Sequence, residues 1–333
     1  MTDLSRYARQ SVFNKIGADG QRKLAQSRVA IVGMGALGTV AASELARAGV
    51  GFLRLIDRDY VELTNLQRQM LFDEADAADG TPKAIAAAEH LRKINSAIIL
   101  EPVVSDFNAR NAETLTRDVD VVIDGTDNAA ARYLINDVCR KLAKPWVYGG
   151  ALGSVGAVMT FLPDGACFRC LFPDAQSGGE SCATVGVLNM LTGVVASLQA
   201  ADTLKILLNS PSLDRRYRTF DLWNNVFDAI EVAQNPDCPC CNGDYTHLNA
   251  SAVDVPVSLC GRDAYQVAGR GAVDSDALAQ RLRGIGNVKL NAFMLVFEGG
   301  GAGFTLFPDG RAIVKNVKSA DAALSVYAEY IGG

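Results

Sequence analysis

The stretch "VAIVGMGALG", Val29 to Gly38, sets Gly33, Gly35 and Gly38 between a short apolar run and the helix-like "TVAASELARAG". At that spacing the first glycine makes a tight turn, the second lets backbone approach phosphate, and the third lets helix pack on strand. The helix N-terminus then offers partial positive charge to an anion. Past the next apolar run, "GFLRLID", Asp57 stands where a carboxylate grips ribose hydroxyls. These residues suit NAD, FAD and ATP alike, since each offers a ribose and phosphates.

The next residues separate the nucleotides. In "DRDYVELTNLQRQ", Asn65, Arg68 and Gln69 fall within one or two helical turns. They present an amide, a guanidinium fork and a second amide to a polyanion. Lys83, in "GTPKA", opens the following helix-like stretch and supplies a point charge. "VVIDGTDN" then puts Asp124 and Asp127 at a strand end, where a carboxylate can hold Mg²⁺ on a triphosphate. Taken singly, Arg68 and Lys83 read as solvated cations and Asp127 as a turn or cap residue. Together, in order around one crevice, they favour a triphosphate.

Two CxxC pairs, "CFRC" (Cys167, Cys170) and "CPCC" (Cys238, Cys241), suit tetrahedral zinc, because each closes a tight turn that points two thiolates at one ion. Cys240 is an extra thiol that spacing alone does not separate from Cys241 as the fourth ligand. An all-sulfur set makes the metal structural rather than catalytic. Disulfides are the competing reading. Only His90 and His247 occur, which excludes a mechanism resting on several histidines.

The elements that must position these groups follow from the apolar runs. "RVAIVG", "GFLRLID", "AIILEPVV" and "VDVVIDG" alternate with helix-like stretches from Thr39, Pro82 and Arg110. That alternation predicts an α/β fold: a Rossmann-like, doubly wound, mostly parallel sheet with its ligand crevice at the C-terminal strand ends. A helix begun near Asn128, the strand "PWVYGG" and an antiparallel run "SVGAVMTFLPDG" extend it. A loop from Ala175 to Ser181 then precedes a long apolar segment, Ala183 to Leu208. That segment carries Asn189, Gln199, Asp202 and Lys205, and reads as buried helix rather than membrane span. Residues 1–247 are expected to form the ATP-binding domain with the cysteine pairs, and 248–333 a small α+β appendage. The appendage holds strand-like "VPVSLCG", helix-like "SDALAQRLRGI", the strand-like runs "NVKLNAFMLVFEG" and "GFTLFPDGRAIVKNV", and a last helix from Ser319, with Pro308-Asp309-Gly310 as a turn.

At 333 residues the chain has room for both domains. A net charge of −5 gives no electrostatic footprint for nucleic acid. The polar start "MTDLSRYARQ" is no signal peptide, and eight cysteines without an export signal fit a reducing, cytoplasmic compartment.

The ordered set of motifs resembles the adenylating enzymes of the HesA/MoeB/ThiF family, relatives of the ubiquitin-activating enzymes, with a lean toward ThiF. The match runs from "RYARQ" at Arg6 to "NPDCPCC" at Cys241. It takes in the glycine loop, "DxDxVExxNLQRQ" with Asp57 and Asp59, "KA" at Lys83, "DGTDN" with Asp127 and Asn128, Arg132, and the paired cysteines. The resemblance implies that ATP adenylates the C-terminal Gly-Gly carboxylate of a small ubiquitin-like sulfur carrier, releasing pyrophosphate. It implies a carrier thiocarboxylate, made with a sulfur donor of cysteine desulfurase or rhodanese type. Arg68 and Lys83 then hold phosphates, Asn65 and Gln69 orient them, Asp57 binds ribose and Asp127 places Mg²⁺. The second arginine of the N-terminal motif, Arg9 here, reaches the neighbouring subunit's ATP, so a homodimer is implied. The four cysteines map onto the family's structural zinc. Cys182, in "GGESCATVGV", matches a cysteine that joins the carrier through an acyl disulfide, and Thr184 two residues on fits the ThiF type and thiamine metabolism.

The appendage is short for a rhodanese domain, and "CGR" at Cys260 is too brief for a persulfide loop. Gly332-Gly333 mimics the terminus that the family adenylates, although a helix can simply stop there. A molybdopterin carrier offers the same substrate chemistry. A tRNA dehydratase fits poorly with the acidic balance and the zinc cysteines. An NAD oxidoreductase leaves "NLQRQ", both cysteine pairs and "DGTDN" without work, and a scaffold without chemistry leaves every phosphate-handling position filled for no purpose.

Overall fold

The structure is a computed structural model that describes residues 5–173, 185–249, 256–258, 264–269 and 271–332. The chain divides into two units, Met1–Ser251 and Ala252–Gly333.

In the first unit an eight-stranded sheet has the order β3-β2-β1-β4-β5-β6-β7-β8. Its strands are β1 (Arg28–Val32), β2 (Phe52–Asp57), β3 (Ile99–Val104), β4 (Val121–Asp124), β5 (Trp146–Leu152), β6 (Val155–Phe161), β7 (Tyr217–Asp221) and β8 (Val226–Ile230). The first five in chain order pair in parallel, and β5 to β8 pair antiparallel. The expected parallel sheet with an antiparallel extension is therefore present. Because β1 is flanked by β2 on one side and β4 on the other, the chain reverses direction across the sheet beside β1. That reversal opens a crevice at the strand ends. Val32 is in register with Ile56 and Asp124, so the loops after β1, β2 and β4 leave the sheet together.

The longer helices of this unit are α1 (Gly17–Leu24), α2 (Ala36–Ala48), α3 (Lys83–Ile94), α4 (Ala129–Lys141) and α5 (Asn189–Leu207). Alanine-rich α2 buries Leu37, Val40, Ala41 and Leu45 at helical spacing, and stops at Gly49 in the left-handed region, φ 80°. The stretch from Arg110 yields only the five-residue turn Ala112–Thr116. Helix α5 is apolar enough, with a mean hydropathy of 1.2, to cross a membrane by length and composition. It packs instead on α2, β5 and β6. Its buried polar groups find partners there: Gln199 Nε2 donates to the carbonyls of Asp124 (2.7 Å) and Val147 (3.1 Å), and Asp202 pairs with Lys205 and Arg218.

The second unit is an antiparallel sheet of order β11-β12-β13-β14-β10-β9. Its strands are β9 (Val257–Ser258), β10 (Ala264–Val267), β11 (Gly286–Leu290), β12 (Leu295–Gly299), β13 (Ala302–Leu306) and β14 (Ala312–Lys315). Helices α6 (Ser275–Leu282) and α7 (Ala320–Tyr330) share its core with Leu295, Phe297, Phe304, Leu306 and Val314. Each of the two long strand-like runs folds as a hairpin rather than one strand. Asn291 Oδ1 accepts from the backbone of Phe293 and Met294 to turn the first, and Gly310, at φ 81° in Pro308-Asp309-Gly310, turns the second.

A Cβ at Gly38 would lie 1.9 Å from the Gly33 carbonyl oxygen, whereas one at Gly35 meets nothing nearer than 3.8 Å. Gly38→Ala is therefore expected to cost ~1–3 kcal/mol through overpacking of rigid backbone, and Gly35→Ala well under 1 kcal/mol. Urea unfolding of the two variants checks this, and equal losses would refute it.

Candidate active site

The crevice is built from backbone before any side chain enters it. Gly33 sits at φ 92° and donates its N–H to the Ile56 carbonyl at 2.8 Å. Gly35 is the N-cap of α2, which leaves the first N–H groups of that helix facing the strand ends. A Cβ at Gly33 would come within 2.7 Å of the Gly125 carbonyl oxygen, and one at Gly125 within 2.4 Å of the Gly33 oxygen. The loops after β1 and β4 thus touch backbone to backbone. Gly125 escaped the sequence reading because its neighbour lies about ninety residues away, and only the turn-forming "DGT" hints at it.

Asp57 ends β2, and its carboxylate accepts from Met34 N and Asp59 N, both at 2.7 Å. Burial raises its pKa, against the pull of the Lys83 charge and the two backbone donors. Lys83, the first residue of α3, is almost fully buried, with Nζ 3.3 Å from Asp59 Oδ2 and its backbone N–H on the Asp59 carbonyl. Asp57, Asp59 and Lys83 therefore form one electrostatic group beside the glycine loop.

The "NLQRQ" segment makes a 3-10 turn, Leu63–Asn65, closed by a capping box in which Asn65 Oδ1 accepts from Glu62 N at 3.0 Å. Asn65 and Gln69 are buried, and Gln69 Oε1 has no hydrogen-bond partner in the described structure. Arg68 is half-exposed and donates to the Thr64 carbonyl at 3.1 Å.

The two aspartates at the end of β4 part company. Asp124 is fully buried and accepts from Thr126 N (2.8 Å), Thr126 Oγ1 (2.6 Å) and Arg132 Nε (3.1 Å). Burial raises its pKa, and Arg132 and Thr126 oppose the rise. Arg132 also donates to the carbonyls of Thr126 (2.9 Å) and Gly149 (3.3 Å), and its guanidinium lies 5.2 Å from the Tyr148 ring. Its fork thus ties α4 to the end of β4 with its following loop and to β5. Asp127 is exposed at the rim, and Asn128 caps α4 by accepting from Ala131 N at 2.9 Å. Gln199, marked in sequence only as a polar residue within the long apolar segment, is hydrogen-bonded behind β4 and β5, partners that no local spacing names. Gly149 lacks the Cβ that would meet its amide at 2.6 Å.

Arg9 stands elsewhere, exposed on the turn Ala8–Ser11, with no hydrogen bond or ion pair to these residues among the described contacts. Its flanks are fixed. Buried Tyr7 accepts from Asn95 Nδ2 at 2.8 Å, and Gln10 donates to Gln21 Oε1 (2.7 Å) and the Ala48 carbonyl (2.8 Å). Cys182, Thr184, Cys260 and Gly333 lie outside the described residues.

The thiol sulfurs of Cys167, Cys170, Cys238 and Cys241 all lie within 4.8 Å of one another. Separations of 3.5 Å (Cys167–Cys238), 3.6 Å (Cys170–Cys241) and 3.8 Å (Cys167–Cys170) match the edge of a tetrahedron whose metal–sulfur bond is about 2.3 Å, roughly 3.8 Å. The donor set and its spacing fit a structural zinc ion. Cys240 is fully buried, but its sulfur is not one of the four.

A family model described as the ThiF family matches residues 7–240. The chain belongs to the ThiF family. Among ThiF-family relatives, the sulfur carrier protein ThiS adenylyltransferase of Bacillus subtilis is 38% identical over 336 residues, covering 98% of this chain and 99% of that protein. The SAMP-activating enzyme E1 of Haloferax volcanii is 42% identical over 243 residues, covering 72% of this chain and 89% of that protein. A crystal structure of E. coli MccB with ATP superposes with a TM-score of 0.62 at 24% identity, over 71% of this chain and 74% of that one. That likeness speaks for the fold alone.

Arg132→Ala strips the partner from a fully buried carboxylate, and a loss of about 3–5 kcal/mol is expected at neutral pH. Because the Asp124 pKa is already raised above its unfolded value and rises further without Arg132, the folded variant takes up a proton before the unfolded chain does. The deficit against the parent protein therefore shrinks as pH falls from 7.5 to 5. Urea midpoints at the two pH values test the sign, and a deficit that grows on acidification would refute it.

Proposed function

We propose that this chain uses ATP to adenylate the C-terminal Gly-Gly carboxylate of a small ubiquitin-like sulfur carrier protein, in the route to a carrier thiocarboxylate for thiamine biosynthesis. The observation that carries the reading is the crevice itself, where the close-packed glycines of the Gly33–Gly38 loop lie beside the buried Asp57–Asp59–Lys83 group. It is a site for phosphate and polar groups rather than for an apolar ring. The ThiF-family membership supports adenylyl transfer. The B. subtilis relative, a ThiS adenylyltransferase, is aligned along 98% of this chain and so takes in the C-terminal unit, which supports the thiamine carrier as the substrate.

In the reaction a carrier carboxylate oxygen attacks the ATP α-phosphorus, the bond to the bridging oxygen breaks, and pyrophosphate leaves with that electron pair. No proton moves, because the attacking carboxylate is already ionised. Catalysis is then positioning and charge neutralisation of one anion approaching another. The free N–H groups at the start of α2 and the Lys83 ammonium face the phosphates, and Arg68 reaches them from the rim. Asn65 and Gln69 orient the chain of phosphates, and Asp57 takes the ribose hydroxyls with its remaining lone pairs. Asp59 holds Lys83 in register. Asn128 and Arg132 shape the pocket wall by capping α4 and tying it to the loop after β4 and to β5. Asp127, exposed at the rim while Asp124 is committed to Arg132, is the carboxylate that suits Mg²⁺, which would neutralise phosphate charge.

Arg9 completes the site of a second copy in a homodimer. Its exposed position on an arm fixed by Tyr7 and Gln10, next to exposed Val12 and Phe13, supports this role. Cys182 is the residue for a covalent link to the carrier during sulfur transfer, with sulfur coming from a desulfurase or rhodanese-type donor.

ATP–pyrophosphate exchange with Mg²⁺ and each Gly-Gly carrier tests the proposal. Exchange should appear with the thiamine carrier and vanish when its last glycine is removed; exchange with no carrier would overturn the reading. Arg9→Ala should slow exchange ~10- to 150-fold, the worth of a charged hydrogen bond of ~1.5–3 kcal/mol. If Arg9 acts across the dimer, mixing Arg9→Ala with inactive Lys83→Ala should restore roughly a quarter of the parent rate through hybrid dimers. No recovery would place Arg9 outside the neighbouring site.

A further inference from the structure

The "CPCC" pair leaves one thiol over, and the packing around it shows what that thiol does. Asn136, on α4 and buried, sits between the two cysteine knuckles. Its Oδ1 accepts from Phe168 N at 2.8 Å, inside the Cys167–Cys170 turn. Its Nδ2 donates to Cys240 Sγ at 3.1 Å, inside the Cys238–Cys241 turn. One amide therefore bridges two half-sites that are 71 residues apart in sequence. The next residue of α4 repeats the pattern, since buried Asp137 Oδ2 accepts from His247 N at 2.8 Å, just beyond the second knuckle. One turn earlier, Tyr133 meets the Phe168 ring edge-on at 5.1 Å and stacks on His247 at 4.8 Å.

We infer that Asn136 is the positioning residue of the cysteine cluster, and that Cys240 is not a metal ligand but an outer thiol through which Asn136 fixes the Cys238–Cys241 knuckle. The inference rests on the zinc reading of the four cysteines. Its physical basis is geometric. Each CxxC turn orders its own two sulfurs, but nothing within either turn sets the distance between the pairs. A buried amide that donates to one turn and accepts from the other sets that distance before metal enters. Hydrogen bonds to the sulfur side of a metal site also hold ligand orientation, and losing them costs about 10–100-fold in metal affinity.

The test uses the full-length protein, loaded with zinc or with cobalt(II), in competition with a chromogenic chelator. The parent protein should hold one metal ion per chain with the absorption of four cobalt-bound thiolates. Cys240→Ala should keep both the stoichiometry and the four-thiolate spectrum while releasing metal about 10-fold faster. Asn136→Ala should lower affinity about 10- to 100-fold and shift the cobalt d–d bands, a signature that a loss of general stability does not produce. If Asn136→Ala does not fold, Cys240→Ala carries the test alone. A three-thiolate spectrum in Cys240→Ala would make Cys240 a ligand and overturn the inference, as would parent-like affinity and release in both variants. A parent protein that binds no metal would overturn the zinc reading as well, so the two failures are distinguishable.

Discussion

The structure depends on a place where no side chain fits. The loop after β1 packs so closely on the start of α2 and on the loop after β4 that a Cβ at Gly33, Gly38 or Gly125 would fall within 2.7 Å of a backbone carbonyl oxygen. That contact lets α2 start directly against the strand ends and brings its free N–H groups to the sheet's switch point. Asp57 then accepts from Met34 N, and Lys83 from the start of α3 reaches Asp59, so the charged groups are hung on a frame already set by backbone. Steric exclusion comes first here, and the electrostatics follow.

The same frame explains why a helix with the composition of a membrane span serves as core. Helix α5 closes one face of the sheet with Leu191, Val195, Ala196 and Ala200, and its amide at Gln199 binds carbonyls of two neighbouring strands. Gly149 leaves room for that amide. Gln199 and Asp202, two of the polar groups that broke the apolar pattern in sequence, are thus hydrogen-bonded against the sheet, where unsatisfied polar atoms would cost far more than they do in water.

What was legible in the sequence was local. The glycine loop, the strand-helix alternation, the helix begun near Asn128 and the cysteine turns all depend on spacings of a few residues. What was not legible depended on distant partners. Gly125 is defined by Gly33, Gln199 by Asp124 and Val147, and Asn136 by Cys240, each across fifty residues or more. Arg132 shows the boundary between the two. Its place after "DGTDN" marks it for the crevice, but only the fold reveals that its guanidinium is spent on Asp124, Thr126 and Gly149 rather than left open. The choice between Cys240 and Cys241 was undecidable from "CPCC", because adjacent residues differ only in the direction their side chains leave the turn.

Helix α4 is where these threads meet. Asn128 caps it and Arg132 anchors its first turns to the crevice, while Asn136 and Asp137 grip the cysteine knuckles one turn farther along, about 6 Å up the axis. A helix that short between its anchors has little freedom to tilt. The four-cysteine cluster, whose donor set fits a closed structural site, therefore has a structural task close to the crevice: holding fixed the far end of the helix whose near end borders it. This gives a physical reason for building the cluster from two distant parts of the chain. A site made from one contiguous loop would stabilise that loop, whereas this one joins the segment after β6 to the segment after β8 and clamps both onto α4.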